Sequence, residues 1–238
     1  MASATGVEAA GPDDEAAIVA LLALAFGADP ANRWLYPSPA QFLRHFPTFV
    51  QALGGRAFAC GTAYTVAGAR AAALWLPPHV HPDEDALVAL VRDSVPNADQ
   101  GAILAIFEQM GRYHPEEPHW YLPFIGVDPV HQRRGYGSAL LRHHLSICDE
   151  EGTCAFLEAS SVESIPLYRR HGFEVLGTIQ EGSAPPIAPM LRRSRGSGRR
   201  RHPVAARTRR TDHPSPAKAG FLHERSPTIP AAPRPSSG

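Results

Sequence analysis

Lysine is almost missing from this chain. Lys218 is the only one among 23 basic residues, and arginine carries the rest. With the heavy use of Ala, Gly and Pro, this reads as the mark of a GC-rich bacterial genome rather than of a chemical need. Cysteine is also scarce. Cys60, Cys148 and Cys154 are odd in number and show no Cys-x-x-Cys spacing. That pattern excludes a disulfide scaffold or a thiolate zinc site and suits a reducing, cytoplasmic setting. No apolar run is long enough to span a bilayer, so no membrane partner is expected. The chain does not open with a basic stretch followed by an apolar one, so no secretory leader is expected. No internal repeat is visible.

Hydrophobic residues make up 44% of the 238, enough for a packed core. The formal net charge is zero but unevenly spread: residues 1–193 carry 13 Lys+Arg against 21 Asp+Glu, and residues 194–238 carry 10 against 2. Beyond Arg193 the apolar pattern gives way to Pro, Ser and Arg. Such a segment buries too little surface to offset its chain entropy. One α/β domain is therefore expected over residues 8–193, with a disordered Arg/Pro-rich tail over 194–238. The tail's clusters at Arg199, Arg200, Arg201 and at Arg209, Arg210 lack interleaved aromatics for base stacking, so a solvated tail is expected and nucleic acid is not.

Along the chain, residues 1–11 read as a loose lead-in. Pro12, Asp13, Asp14 and Glu15 suit a helix start, where negative charge favours the dipole. Ile18, Leu21, Leu22, Ala25 and Phe26 then form one apolar face ended by Gly27. An aromatic-bearing loop is expected at 29–37 and a helix from Pro39 to Gly54. Residues 57–66 and 71–76 read as a hairpin around Gly68. Helices follow over 83–95 and 99–113. Residues 120–127 read as a strand that Asp128-Pro129 ends. A helix opening at Ser138 carries Leu141, Leu145 and Cys148 on one face. Further strands are expected at 155–159, 175–180 and 188–191.

Between that strand and helix lies the most informative turn: Gln132, Arg133, Arg134, Gly135, Tyr136, Gly137. Glycines at 135 and 137 allow backbone angles that a Cβ forbids. The first turn of the helix offers unpaired N–H groups with partial positive charge, and two arginines add to it. This chemistry holds a phosphate or diphosphate. A P-loop is excluded, because no lysine follows the glycines. A dinucleotide fingerprint is excluded by Leu140 in the place of a third glycine.

The spacing Gln132-x-x-Gly135-x-Gly137 resembles the acetyl-CoA diphosphate loop of the GCN5-related N-acetyltransferase (GNAT) family. The resemblance extends over about residues 120–173. It includes a strand ending in Phe156, Leu157 and Glu158, then Leu167-Tyr168 and Gly172-Phe173. These phrases look most like the puromycin N-acetyltransferase branch. The resemblance implies a mixed central sheet flanked by helices, acetyl-CoA as cosubstrate and no metal. It also implies transfer of acetyl to a primary amine of a small molecule, an antibiotic or metabolite, by direct attack in a ternary complex. Backbone at Ile125, Gly126 and Val127 would pair with the pantetheine arm. Gln132, Arg133, Arg134, Gly135, Tyr136, Gly137 and Ser138 would hold the diphosphate. Tyr168 would protonate the leaving thiolate. Ser164 stands where relatives often have asparagine beside the coenzyme arm, a departure from the pattern.

Glu158 is the candidate general base, with His119, Tyr121 and Glu108 behind it. Trp34, Tyr36 and Trp75 are candidates to line an acceptor pocket. His79 with His81, and His143 with His144, lack ligand-spaced partners for a metal. Two other readings stay open at this level: a CoA-binding domain of weak activity whose basic tail docks nucleic acid or a protein, and a protein N-acetyltransferase.

Overall fold

The computed structural model describes residues 6–66 and 68–196. Of the tail expected at 194–238, residues 197–238 lie outside the described residues. The elements run β1 (Val7–Ala10), α1 (Glu15–Phe26), α2 (Pro30–Leu35), α3 (Pro39–Gly54), α4 (Arg56–Cys60), β2 (Ala63–Val66) and β3 (Ala71–Leu76). They continue with α5 (Glu84–Ser94), α6 (Asn97–Tyr113), β4 (His119–Val127), α7 (Tyr136–Glu151), β5 (Cys154–Ala159), α8 (Ile165–Arg170), β6 (Glu174–Val175) and β7 (Ala188–Arg192). The strands form one mixed sheet in the order β1-β2-β3-β4-β5-β7-β6. β4 and β5 are parallel, with α7 as the crossover, and the other pairings are antiparallel.

Two apolar cores lie on the two faces of this sheet. One packs α1, α3, α5 and α6 against Ala72, Leu74, Leu76, Phe124 and Phe156. The other packs α7 and Tyr168 against Val66, Ala73, Trp75, Trp120 and Leu157. All six residues of β3 are buried, because it has a core on either side. β4 changes sides along its length. Tyr121 faces the first core, and Trp120 and Leu122 the second. A register shift opposite Leu74 and Leu76 inserts one residue, and after it Phe124 faces the first core while Ile125 and Val127 face the second. A bulge of this kind reverses the in–out alternation beyond it.

The structure corrects several expectations. Residues 7–10 form an edge strand, with Val7 opposite Val66; only Ala10 is buried, so no apolar alternation announces it. Residues 30–35 are helical rather than a loop: Pro30 sits in the first turn, and the Asp29 carboxylate accepts from the Asn32 N–H at 3.0 Å. Residues 56–60 are helical rather than part of a strand, and Gly61 ends them at φ 67°. A continuous apolar run is equally compatible with either structure. The strand expected at 175–180 reduces to Glu174–Val175 and one bridge, Ile179 to Ile187. The helix expected from Ser138 begins at Tyr136, with Gly135 as its N-cap at φ 85°. Gly137 is therefore helical and outside the left-handed region; of the two glycines, only Gly135 needs one.

Candidate active site

The β4–β5 pairing stops early. Its register runs from His119↔Cys154 to Tyr121↔Phe156, yet β4 continues to Val127 and β5 to Ala159. Pro123 falls just past that point and has no N–H to offer a neighbouring strand. Beyond it the two strands diverge, and the edge of β4 over residues 122–127 faces a cleft. β3 holds the other edge through Ala71↔Val127, Ala72↔Gly126 and Ala73↔Ile125. Ile125, Gly126 and Val127 thus lie on the open segment. Packing requires glycine at 126: a Cβ there would sit 2.8 Å from Leu22 Cδ2 and 2.9 Å from Ala25 Cβ. α1 packs directly on the strand at that point.

The cavity at this divergence has a volume of about 120 Å³. Its walls are mostly apolar, among them Trp34, Phe49, Ile103, Ile106, Phe107 and Phe124. Glu158 and Tyr168 both line it. They enter from opposite faces: Glu158 shares the face of Phe156, while Tyr168 belongs to the core under α7.

Glu158 is not a solvated strand-end charge, since its side chain is only 5% exposed. His114, which follows α6, approaches it with Nε2 3.2 Å from Oε1. His114 Nδ1 lies 3.3 Å from His119 Nε2, and His119 Nδ1 lies 2.9 Å from the Glu117 carbonyl oxygen. Burial holds the His119 imidazole below the ordinary histidine range. Tyr121, fully buried, is held well above the usual tyrosine range, first by burial and then by the adjacent Glu158 carboxylate. A row of titratable groups therefore leads from the cavity to the part-exposed His119. His114 was not anticipated from the sequence. Its signal was available only as a histidine closing a helix five residues before a strand that begins with another.

Tyr168 is buried, and its phenol is held above the ordinary tyrosine range. Desolvation is the main cause, the Asp29 carboxylate adds to it, and the Ser164 hydroxyl opposes both. It therefore keeps its proton, as a donor must. Asp29 also accepts from the Ser160 hydroxyl at 2.6 Å, tying the start of α2 to the end of β5. The Ser164 hydroxyl donates to the Ser161 carbonyl at 2.7 Å.

The turn follows β4. Gln132, Arg133, Arg134 and Gly135 are exposed, and Arg133 has φ 62°. No side chain caps the first turn of α7 at Gly135. Tyr136 is buried beneath the turn, and Ser138 Oγ lies 3.0 Å from His171 Nε2. Exposed guanidiniums beside uncapped amides fit a diphosphate.

Other candidates fall away from the cavity. Trp75 lies in the second core, stacked on His144 at 4.2 Å. Tyr36 is buried and hydrogen-bonds with Ser94 at 2.9 Å. Glu108 pairs with Arg112 on the surface of α6. His144 is buried core, not a ligand. Among the described residues, no group of three or more His, Cys, Asp or Glu could hold a metal ion, and no helix is long and apolar enough to cross a membrane.

A mixed sheet that parts between two parallel strands, followed by a glycine-capped turn into the crossover helix, defines the acyl-CoA N-acyltransferase class of fold. Residues 67–173 match the model of the acetyltransferase (GNAT) family. A crystal structure described as histone acetyltransferase HPA2 and related acetyltransferase from Corynebacterium glutamicum is 25% identical, covers 81% of this chain and 97% of its own, and superposes with a TM-score of 0.57. A mosquito arylalkylamine N-acetyltransferase like 5b is 17% identical over 79% of this chain and 99% of its own, at 0.52, and shares the fold. An uncharacterized N-acetyltransferase of Schizosaccharomyces pombe is 31% identical over 80 residues, which span 32% of this chain and 32% of that protein. The chain thus carries the fold of the GNAT acetyltransferases, with the family's model matched over residues 67–173.

Proposed function

We propose that this protein transfers the acetyl group of acetyl-CoA to the primary amine of a small molecule with a compact apolar body, both substrates being bound together. The observation that carries the reading is one narrow apolar cavity shared by a buried carboxylate, Glu158, and a phenol that keeps its proton, Tyr168.

Acetyl-CoA supplies an acetyl group already activated on sulfur. The chain's residues do the rest. The open edge at Ile125, Gly126 and Val127 and the turn from Gln132 to Ser138 hold the cosubstrate, with Ser164 beside its arm. Glu158 binds the incoming ammonium and takes its proton at a carboxylate oxygen. His114 and His119 pass that proton outward along the 3.2 Å and 3.3 Å contacts. Tyr168 holds a proton for the departing sulfur. Direct attack is favoured over an acetyl-enzyme, because burial pushes the Cys148 thiol up to about 12, away from the reactive thiolate.

The cavity also argues for a type of acceptor. At about 120 Å³ it approaches the size of an apolar protein cavity that takes one benzene ring, roughly 150 Å³. A single carboxylate serves a single ammonium. A polyamine or aminoglycoside would leave its other charges against Phe and Ile side chains. The arylalkylamine enzyme with the same fold is consistent with this choice.

The test is coenzyme-thiol release with full-length protein across phenethylamine, hexylamine, spermidine, an aminoglycoside, puromycin and a peptide. The compact apolar amines should turn over with the highest kcat/KM. Preference for spermidine or the peptide overturns the acceptor assignment. Tight CoA binding with no turnover of any amine overturns the enzyme.

A further inference from the structure

A second feature lies beside the diphosphate turn. One face of α7 runs from Ser138 through Arg142 to Asp149 and borders a groove of about 590 Å³, closed by the end of α8 and by β7. Four guanidiniums, those of Arg142, Arg170, Arg192 and Arg195, sit close enough to His171 to hold its imidazole below the usual histidine range, second only to its burial. One carboxylate lines the groove, Asp149, and it is already engaged. It accepts from Arg192 Nη2 at 2.6 Å and from the Arg195 N–H at 2.6 Å.

Arg192 is the unusual member. It is 3% exposed, and its Nε donates to the His171 carbonyl at 3.0 Å. Its Nη1 is buried without a hydrogen-bond partner among the described residues. Asp149 meets one edge of this buried guanidinium, but with a spare donor at Nη1 and three more guanidiniums and a histidine around it, the cluster has more positive charge than its one carboxylate balances. Planar guanidinium forks suit a phosphomonoester.

The groove is continuous with the turn. Ser138 lines it and contacts His171, and Arg142 follows one helical turn later, about 6 Å along the axis. A ligand whose diphosphate occupies the turn and whose second phosphate lies a few ångströms away would meet both. Coenzyme A has that layout, with a phosphomonoester on its ribose.

We propose that this groove binds the ribose 3′-phosphate of coenzyme A, so that the protein distinguishes CoA from 3′-dephospho-CoA. Arg192 is the fixed anchor, and Arg142 and Arg170 close on the phosphate from the rim. The proposal rests on the acetyl-CoA reading above and adds a site to it.

Calorimetric titration of the full chain, without any amine, tests it. Wild type should bind CoA about tenfold to a hundredfold more tightly than 3′-dephospho-CoA, the range that one or two charge-assisted hydrogen bonds supply. The double variant Arg142→Ala, Arg170→Ala should lose that preference while keeping its affinity for 3′-dephospho-CoA. Equal affinities in wild type, or a variant weakened equally toward both, overturns the 3′-phosphate site alone. Binding of neither ligand removes the acetyl-CoA reading and this site with it. A second readout is independent of variants. Adenosine 3′,5′-bisphosphate should raise the His171 titration midpoint seen by NMR, because an anion relieves the charge now acting on it, and adenosine 5′-monophosphate should not. No difference between the two nucleotides counts against the site.

Discussion

At the scale of single residues, Tyr168 and His144 show how burial serves opposite ends. Tyr168 is dry and keeps its proton, as the donor proposed for it must. Tyr168→Phe should lower kcat by about a hundredfold, the usual worth of a positioned acid, and leave CoA affinity unchanged; steady-state kinetics beside calorimetry checks this, and an unchanged kcat removes the role. His144 is fully buried between Trp75 and Trp120, and burial lowers its pKa to about 3. The folded protein therefore refuses a proton that the unfolded chain takes below about 6.5. Its contribution is intact above that value and is lost progressively as pH falls toward 3. At pH 5 the loss should be about 2 kcal/mol. In urea titrations, His144→Phe should flatten the fall in stability between pH 7 and pH 5; an equally steep fall would place the acid sensitivity elsewhere.

At the scale of elements, the packing of α1 on β4 turns on one missing methyl group. Gly126→Ala would put a carbon within 3 Å of both Leu22 and Ala25, and neither lies on an element free to retreat. The expected cost is about 1–3 kcal/mol. Thermal unfolding measures it, and a variant as stable as wild type would mean that α1 shifts freely. The legibility of elements followed their length. α1, α3, α5, α6 and α7 repeat an apolar face over several turns, so their existence was clear from residues such as Ile18 and Leu22 or Ile103 and Phe107. α2 and α4 are too short for a period to emerge, although Asp29-Pro30 carried a cap signal that could have been used. β1 shows nothing because an edge strand with one buried residue need not alternate. In the candidate site, local phrases singled out the glycine turn, Glu158 and Tyr168, and the last two line one cavity. The approach of His114 to Glu158 was not legible, because it joins the end of α6 to β5, a contact between distant parts of the chain that only tertiary packing makes.

At the scale of the whole molecule, two cores share one sheet. β3 is buried on both faces, so neither core can open without exposing a strand that the other needs. The described domain should unfold as a single unit. Tryptophan fluorescence reports chiefly on Trp75 and Trp120 in the second core, and far-ultraviolet dichroism weights the helices of the first. Their denaturant midpoints should coincide. Separate midpoints would mean that the faces are energetically independent.

The parting of β4 from β5 has one more effect. Past Tyr121 the central seam is unzipped, so the backbone groups of β4 that point away from β3 have no strand beside them. An extended molecule laid in that gap acts as a surrogate strand. Deuterium uptake at residues 124–127 should slow when coenzyme A is added, more than anywhere else along β4. The enzyme's interior would then be completed by what it consumes, and its resistance to local opening would follow the supply of cosubstrate in the cell.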